Sequence, residues 1–306
     1  IIFPGRSDPR EAGPPARSEY HARMTGHHTT AGLLAQARGK IDAVDAEWLL
    51  AHALGRSRGW LFAHAGDAVD AAVVACFLDL VARRGAGEPV AYLTGTQGFW
   101  TLELEVGPAT LIPRPETELL VEQALLRLPD DGRPLRIADM GTGTGAVALA
   151  IASERPQAMV LATDLLGPTL AVAVGNAQRN GIDNVHFRRG SWYRALGRDR
   201  FDVIVSNPPY IRSDDAHLQQ GDLRFEPPAA LASGEDGLEA IRIIAAGASD
   251  HLVPGGWLLL EHGWDQGPAV RALLDAAGLE QVQTVVDLEG RDRVSLGRRP
   301  GRSLWD

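Results

Sequence analysis

The sequence has one cysteine, Cys76, and one lysine, Lys40. A single cysteine closes no intrachain disulfide and builds no cysteine-rich zinc site. That usage fits a reducing, cytoplasmic setting, and no metal is expected. Cys76 lies in Ala75-Cys76-Phe77-Leu78, where a buried small hydrophobe is expected rather than a nucleophile. Apolar runs such as Trp257-Leu258-Leu259-Leu260 fall far short of the roughly 20 residues that a membrane helix needs, so no membrane partner is expected. Positive charge is also scarce. Thirty Lys and Arg face 39 Asp and Glu, a net charge of −9, which argues against a chain whose main task is gripping bare nucleic acid.

What is present is ordinary for a globular chain. Hydrophobic residues make up 45% of the 306 residues, enough for about two domains with a real core. Residues 1–23 are rich in Pro, Gly, Arg and Ser without apolar period. An extension over 1–26 is therefore expected to stay unordered, with the working chain starting near Met24. From Thr30 to about Gly95 the pattern is helical. Thr29 or Thr30 caps a first helix, Asp42 a second that Gly55 closes, and Asp67 or Asp70 a third carrying Val73, Val74, Phe77, Leu78 and Val81. Residues 27–95 thus form a small helical bundle, and 96–118 a hairpin and linker around Gly98-Phe99-Trp100 and Leu102–Val106.

Over residues 119–300 strand and helix patterns alternate. Strand candidates are 135–139, 158–163, 185–187, 202–205, 256–261, 281–286 and 293–296. Such alternation predicts a mainly parallel, doubly wound sheet. The last two strands are too close in sequence for a parallel crossover and are expected to pair antiparallel.

Two segments carry chemistry. Asp139-Met140-Gly141-Thr142-Gly143-Thr144-Gly145 stands between the first of these strands and a helix, and Asp164 ends the next strand. Glycines there let the backbone turn tightly beside a helix N-terminus, and a carboxylate at the second strand end suits ribose hydroxyls. The glycines alone are a weak signal, but with the preceding strand, the following helix and Asp164 they point to a nucleoside cofactor over a tight turn with no ligand. The second segment, Asn207-Pro208-Pro209-Tyr210, follows the fourth strand. Two prolines remove two backbone donors, leaving the Asn207 amide oxygen and the Pro208 carbonyl to accept from a planar NH₂ group on which Tyr210 can stack. Alone, it reads as a Pro-Pro turn. At a carboxyl strand end of such a sheet it belongs beside the glycine loop.

The G-x-G-x-G form after Asp139 resembles the first motif of S-adenosylmethionine-dependent methyltransferases, and Asn-Pro-Pro-Tyr that of methyltransferases acting on planar amino groups. Leu111-Ile112-Pro113-Arg114-Pro115-Glu116-Thr117-Glu118, the segments 218–227 and 259–263, and Gly87–Gly95 with Gly98-Phe99-Trp100 narrow the resemblance to the HemK/PrmC family, the peptide-chain release factor glutamine methyltransferases. It spans about residues 27–298.

That resemblance implies a seven-stranded Rossmann-like S-adenosylmethionine methyltransferase sheet with a small N-terminal helical bundle. It implies transfer of methyl to the glutamine amide of the Gly-Gly-Gln motif in class I release factors, leaving S-adenosylhomocysteine. Asp139, Gly141, Thr142, Gly143, Thr144, Gly145, Asp164, Trp192 and Asn207 would bind the cofactor, with Trp192 by the adenine. Asn207, Pro208, Pro209 and Tyr210 would hold the glutamine, with Asn207, Pro208 and Tyr210 as the catalytic set. Arg114 and Glu116 read either as supports of the glutamine pocket or as parts of a structural salt bridge. The family often has an acid just before the aromatic of its third motif, where this chain has Ser191. Glu261 and His262 invite an acid–base role but rank as structural. The helical domain would help dock the release factor, and a monomer is expected.

Three alternatives compete with this resemblance: a glutamine of a large-subunit ribosomal protein as substrate, a nucleic-acid amino group, or a nucleoside-binding module without activity. The Arg114–Glu118 run favours the release-factor enzyme over the first. A nucleic-acid enzyme would be expected to carry a basic recognition domain, and a mere binding module leaves Asn-Pro-Pro-Tyr unexplained.

Overall fold

The computed structural model describes residues 28–129 and 131–301; the extension over 1–26 and the start near Met24 lie outside the described residues. The chain divides into two compact units between Ala86 and Gly87.

In the first unit, helices α1 (Thr30–Ala37), α2 (Ala43–Leu54), α3 (Arg58–Ala63) and α4 (Ala71–Gly85) pack around Leu33, Leu49, Leu50, Leu61 and Phe77. Their starts follow capping chemistry. Thr29 accepts from the Gly32 N–H, Asp42 from Val44 and Ser57 from Trp60. Asp70 holds the N-cap position of α4 without a side-chain bond. Cys76 corrects the expectation of burial: it is exposed. Helix α4 turns Val74, Phe77, Leu80 and Val81 inward. Cys76 follows Val74 by two positions, too few to share its face.

The second unit opens with α5 (Val90–Thr94) and the antiparallel hairpin β1 (Thr96–Phe99) and β2 (Leu102–Glu105). Helix α6 (Glu118–Leu125) leads into a seven-stranded sheet. Its strands are β3 (Arg136–Met140), β4 (Met159–Asp164), β5 (Val185–Arg189), β6 (Phe201–Ser206), β7 (Leu252–Glu261), β8 (Glu280–Val286) and β9 (Asp292–Arg298). Their order is β5-β4-β3-β6-β7-β9-β8. The first five in that order pair parallel, and β9 pairs antiparallel with both β7 and β8, as the short connection requires. Helices α7 (Ala146–Glu154), α8 (Gly167–Arg179), α9 (Tyr193–Leu196), α10 (Glu239–His251) and α11 (Gly267–Ala276) complete the unit.

Alternation along each central strand feeds two cores. Ile137, Val203, Val205 and Leu259 join Leu120, Val121 and Leu149 on one face. Ala138, Met140, Ile204, Leu258 and Leu260 join Ile241, Ile244, Val270 and Leu274 on the other. Strand order reverses at β3, which lies between β4 and β6. A ligand crevice belongs at the carboxyl ends there.

Candidate active site

The loop after β3 is built by backbone bonds. The N–H groups of Gly141 and Thr142 both donate to the Thr163 carbonyl, each at 2.9 Å. The Ser206 hydroxyl donates to the Met140 carbonyl at 2.6 Å. The ends of β3, β4 and β6 are thereby tied together. Gly141, Gly143 and Gly145 all have positive φ. At Gly145 the glycine is doubly required, since φ is +86° and a Cβ would stand 3.1 Å from Leu149 Cδ1 and 3.3 Å from Ala173 Cβ.

The acids anchor this loop. The Thr142 hydroxyl donates to Asp139 at 2.6 Å. Burial raises the Asp139 carboxyl to about 7, with the Thr142 bond opposing the shift. Asp164 accepts from the Gly143 and Leu166 N–H groups, at 3.1 Å each; burial raises its pKa against those bonds. Trp192 takes φ 44° and ψ −126°, a strained backbone for a bulky residue. Its ring lies against Gly141.

These residues line a cavity of ≈ 220 Å³, with Asp139, Gly141 to Thr144, Asp164, Ser191, Trp192, Asn207 and Pro209 in its wall. Gly145 is outside that wall and begins α7 instead. A second cavity of ≈ 60 Å³ is lined by Arg114, Asn207, Pro208 and Tyr210. Asn207 is in the wall of both. Its Nδ2 donates to Thr117 Oγ1 at 3.2 Å, which leaves Oδ1 as its free acceptor. The Tyr210 hydroxyl donates to Glu261 at 3.4 Å, and the Tyr210 carbonyl accepts from Gln266 Nε2 at 3.0 Å. Burial raises the Tyr210 pKa further, so the phenol stays protonated.

Arg114 pairs with the buried Glu226, as one of its two readings expects, and also lines the smaller cavity. Glu116 is exposed and lines neither. Burial lowers the His262 pKa, and Nε2 and Nδ1 contact Ser295 Oγ and the Gly263 carbonyl, both at 2.8 Å.

Several contributors went unread in the sequence. Glu226 also accepts from the Ile112 N–H at 3.0 Å, clasping the linker to the segment that supplies Pro227, Ala229 and Ala230 to the larger cavity. Asn176, fully buried, donates to the Glu105 and Thr144 carbonyls at 3.0 Å each, tying the hairpin to the glycine loop. Glu226 stood inside a family-like segment. Asn176 had no signal beyond being polar on the inner face of a helix. Among the described residues no cluster of His, Cys, Asp and Glu could hold a metal, and no helix is long and apolar enough to cross a membrane.

Known families match both parts of the chain. Residues 28–95 match the PrmC N-terminal domain and residues 116–224 the methyltransferase small domain. A release factor glutamine methyltransferase of Xylella fastidiosa is 61% identical over 269 residues, 88% of this chain and 98% of that protein. One of Escherichia coli K12 is 49% identical over 254 residues, 83% and 91% of the two chains. The crystal structure of a methyltransferase from Pyrococcus furiosus shares the fold at TM-score 0.51 and 20% identity, over 72% of this chain and 97% of that one. The glycine loop and the Asn-Pro-Pro-Tyr turn therefore sit in an enzyme, and the chain belongs to the release factor glutamine methyltransferase family.

Proposed function

We propose that the protein methylates the side-chain amide nitrogen of the glutamine in the Gly-Gly-Gln motif of class I peptide chain release factors, with S-adenosylmethionine as donor, and so modulates translation termination. The observation that carries this reading is that Asn207 lines both cavities, the larger with the glycine loop and the smaller with Pro208 and Tyr210.

The larger cavity suits the cofactor. At Gly143 no atom lies within 4 Å of where a Cβ would stand, so backbone is presented openly to a ligand. Gly141 to Thr144 would hold its amino-acid end, Asp164 its ribose, and Trp192 its adenine. Ser191 offers a hydroxyl where relatives often have an acid. When bound, the cofactor supplies an electrophilic methyl on a sulfonium.

The rest of the work is positional. A carboxamide nitrogen is a poor nucleophile because its lone pair is delocalised. Asn207 Oδ1 and the Pro208 carbonyl accept its two N–H bonds, Tyr210 stacks on the amide plane, and the nitrogen is held in line. Arg114, fixed by Glu226, walls the pocket. Glu116 lies within electrostatic reach of Tyr210 and Glu261 and supports the pocket from outside. The helical unit docks the release factor. The reading implies a monomer acting in the cytoplasm, without nucleic acid or membrane.

Incubation with a release factor and S-adenosylmethionine, followed by mass spectrometry of the Gly-Gly-Gln peptide, tests it. One added methyl on that glutamine is expected. An unmodified release factor, with methyl on a ribosomal protein or DNA instead, overturns the assignment.

A further inference from the structure

Glu261 ends β7 and is 1% exposed. Its Oε2 is buried without a hydrogen-bond partner, which is costly for an acid unless something gains from it. The groups around it are specific. The Tyr210 hydroxyl donates to Oε1. Side-chain hydrogen bonds from Thr117 and Tyr210 favour its charged form, as does the nearby Arg293 cation, while Glu116 opposes it. Arg293 is itself held by Asp287 at 3.3 Å and by the His262 carbonyl at 3.4 Å. Thr117 is 4% exposed. Its oxygen already accepts from Asn207 Nδ2, so its single hydroxyl proton must go to another acceptor. Thr117 lies close enough to favour the ionised Glu261 carboxyl, whose Oε2 has no other partner, and in the proposal below Glu261 takes that proton.

Direction follows from this. A carboxylate only accepts, so Tyr210 and Thr117 must both point their protons at it. Thr117 then offers only lone pairs to Asn207, which turns the amide Nδ2 inward and Oδ1 toward the pocket. We propose that Glu261 is a positioning residue whose buried carboxylate, through Thr117 and Tyr210, sets the amide orientation of Asn207 and the ring of Tyr210 for the acceptor amide. This rests on the methyl-transfer reading above. A protonated Glu261, or a glutamine in its place, brings a donor into the centre of the chain and releases both neighbours.

The test is methyl transfer to the release factor at saturating cofactor, with wild type, Glu261→Gln, Thr117→Val, Thr117→Ser and the double variant Glu261→Gln/Thr117→Val. Misorientation of a reacting group costs up to about a hundredfold, so kcat should fall about tenfold to a hundredfold in Glu261→Gln and Thr117→Val, with cofactor affinity changed by less than about twofold in Glu261→Gln, whose side chain lies outside the larger cavity that Thr117 lines. The double variant should fall no further than either single variant, and Thr117→Ser, which keeps the hydroxyl, should recover most of the loss. Wild-type kcat should drop as pH falls through about 7, where burial has raised the Glu261 carboxyl, and Glu261→Gln should lack that limb. If Glu261→Gln fails to fold, Thr117→Val decides alone, because it leaves the acid in place. An active wild type whose variants keep full kcat and the same pH limb, or whose defects simply add, overturns the proposal. A wild type that never methylates the release factor overturns the functional reading beneath it.

Discussion

In the proposed function Asn207 serves the methyl acceptor and Asp139 the methyl donor. Asn207→Ala removes Oδ1 from the smaller cavity and leaves the glycine loop intact. Expected is a collapse of methyl transfer, of the order of a hundredfold or more, with a far smaller loss of cofactor affinity by calorimetry, because Asn207 is one wall residue of the larger cavity and the glycine loop keeps its place. Asp139 behaves oppositely. Burial holds it at about 7 in the fold, against 3.8 when free. A raised carboxyl favours the folded state below its unfolded pKa, and that contribution disappears as pH rises through the folded one. Unfolding free energy should therefore decline between about pH 4 and 7, and Asp139→Asn should remove its share of the decline in denaturant titrations, the remainder coming from Glu261, which burial also raises to about 7. A cationic ligand in the same cavity favours the ionised acid, so cofactor affinity should rise over that window in the wild type and stay flat in Asp139→Asn. At this scale the sequence offered candidate residues that the structure gathers around two cavities, and missed those that hold them. Thr117 and Glu226 make their contacts across long sequence separations, which no local spacing encodes.

Elements show a different division. Helix α2 was legible at both ends, because Asp42 and Gly55 act through bonds closed within a few residues. The central strands showed as short apolar runs, since they are buried on both faces, and the antiparallel finish through a connection too short for a parallel crossover. Short α3 and α5 escaped notice, since six and five residues give too little period to read. Cys76 misled because an apolar run within a helix does not say which face is inward. The join between elements was invisible in the same way. Asn176 anchors β2 against α8 and the glycine loop by accepting from the Glu105 N–H at 2.6 Å and donating to two carbonyls. Asn176→Ala would strand the buried Thr144 carbonyl, at a cost of about 1–3 kcal/mol, and free two part-buried Glu105 backbone groups that water can reach. Urea titration should show a lowered midpoint with unchanged m, and cofactor affinity should weaken with it because Thr144 loses its brace. An unchanged midpoint would mean the hairpin is held by other contacts.

For the whole molecule, the net charge of −9 says little by itself about a protein substrate, and the helical unit says more. On α2, Val44 and Trp48 lie one turn apart and are 48% and 50% exposed; on α3, Arg58 and Phe62 lie one turn apart, Phe62 at 65%. The Arg58 guanidinium sits 5.1 Å over the Trp48 ring and also bonds Glu47. Two short helices thus display an apolar patch around an indole whose face is already braced. Tryptophan and arginine dominate the energetics of protein interfaces, and a braced ring loses little freedom on binding. If this patch docks the release factor, Trp48→Ala should raise KM for the intact factor by about tenfold or more. Activity on a short Gly-Gly-Gln peptide, too small to need the patch, should be unchanged. Arg58→Ala, which unbraces the ring and keeps it, should give a smaller KM effect in the same direction. Equal losses on peptide and intact factor would place the defect in the fold of the unit rather than in docking, and an unaltered KM for both would move the docking face elsewhere.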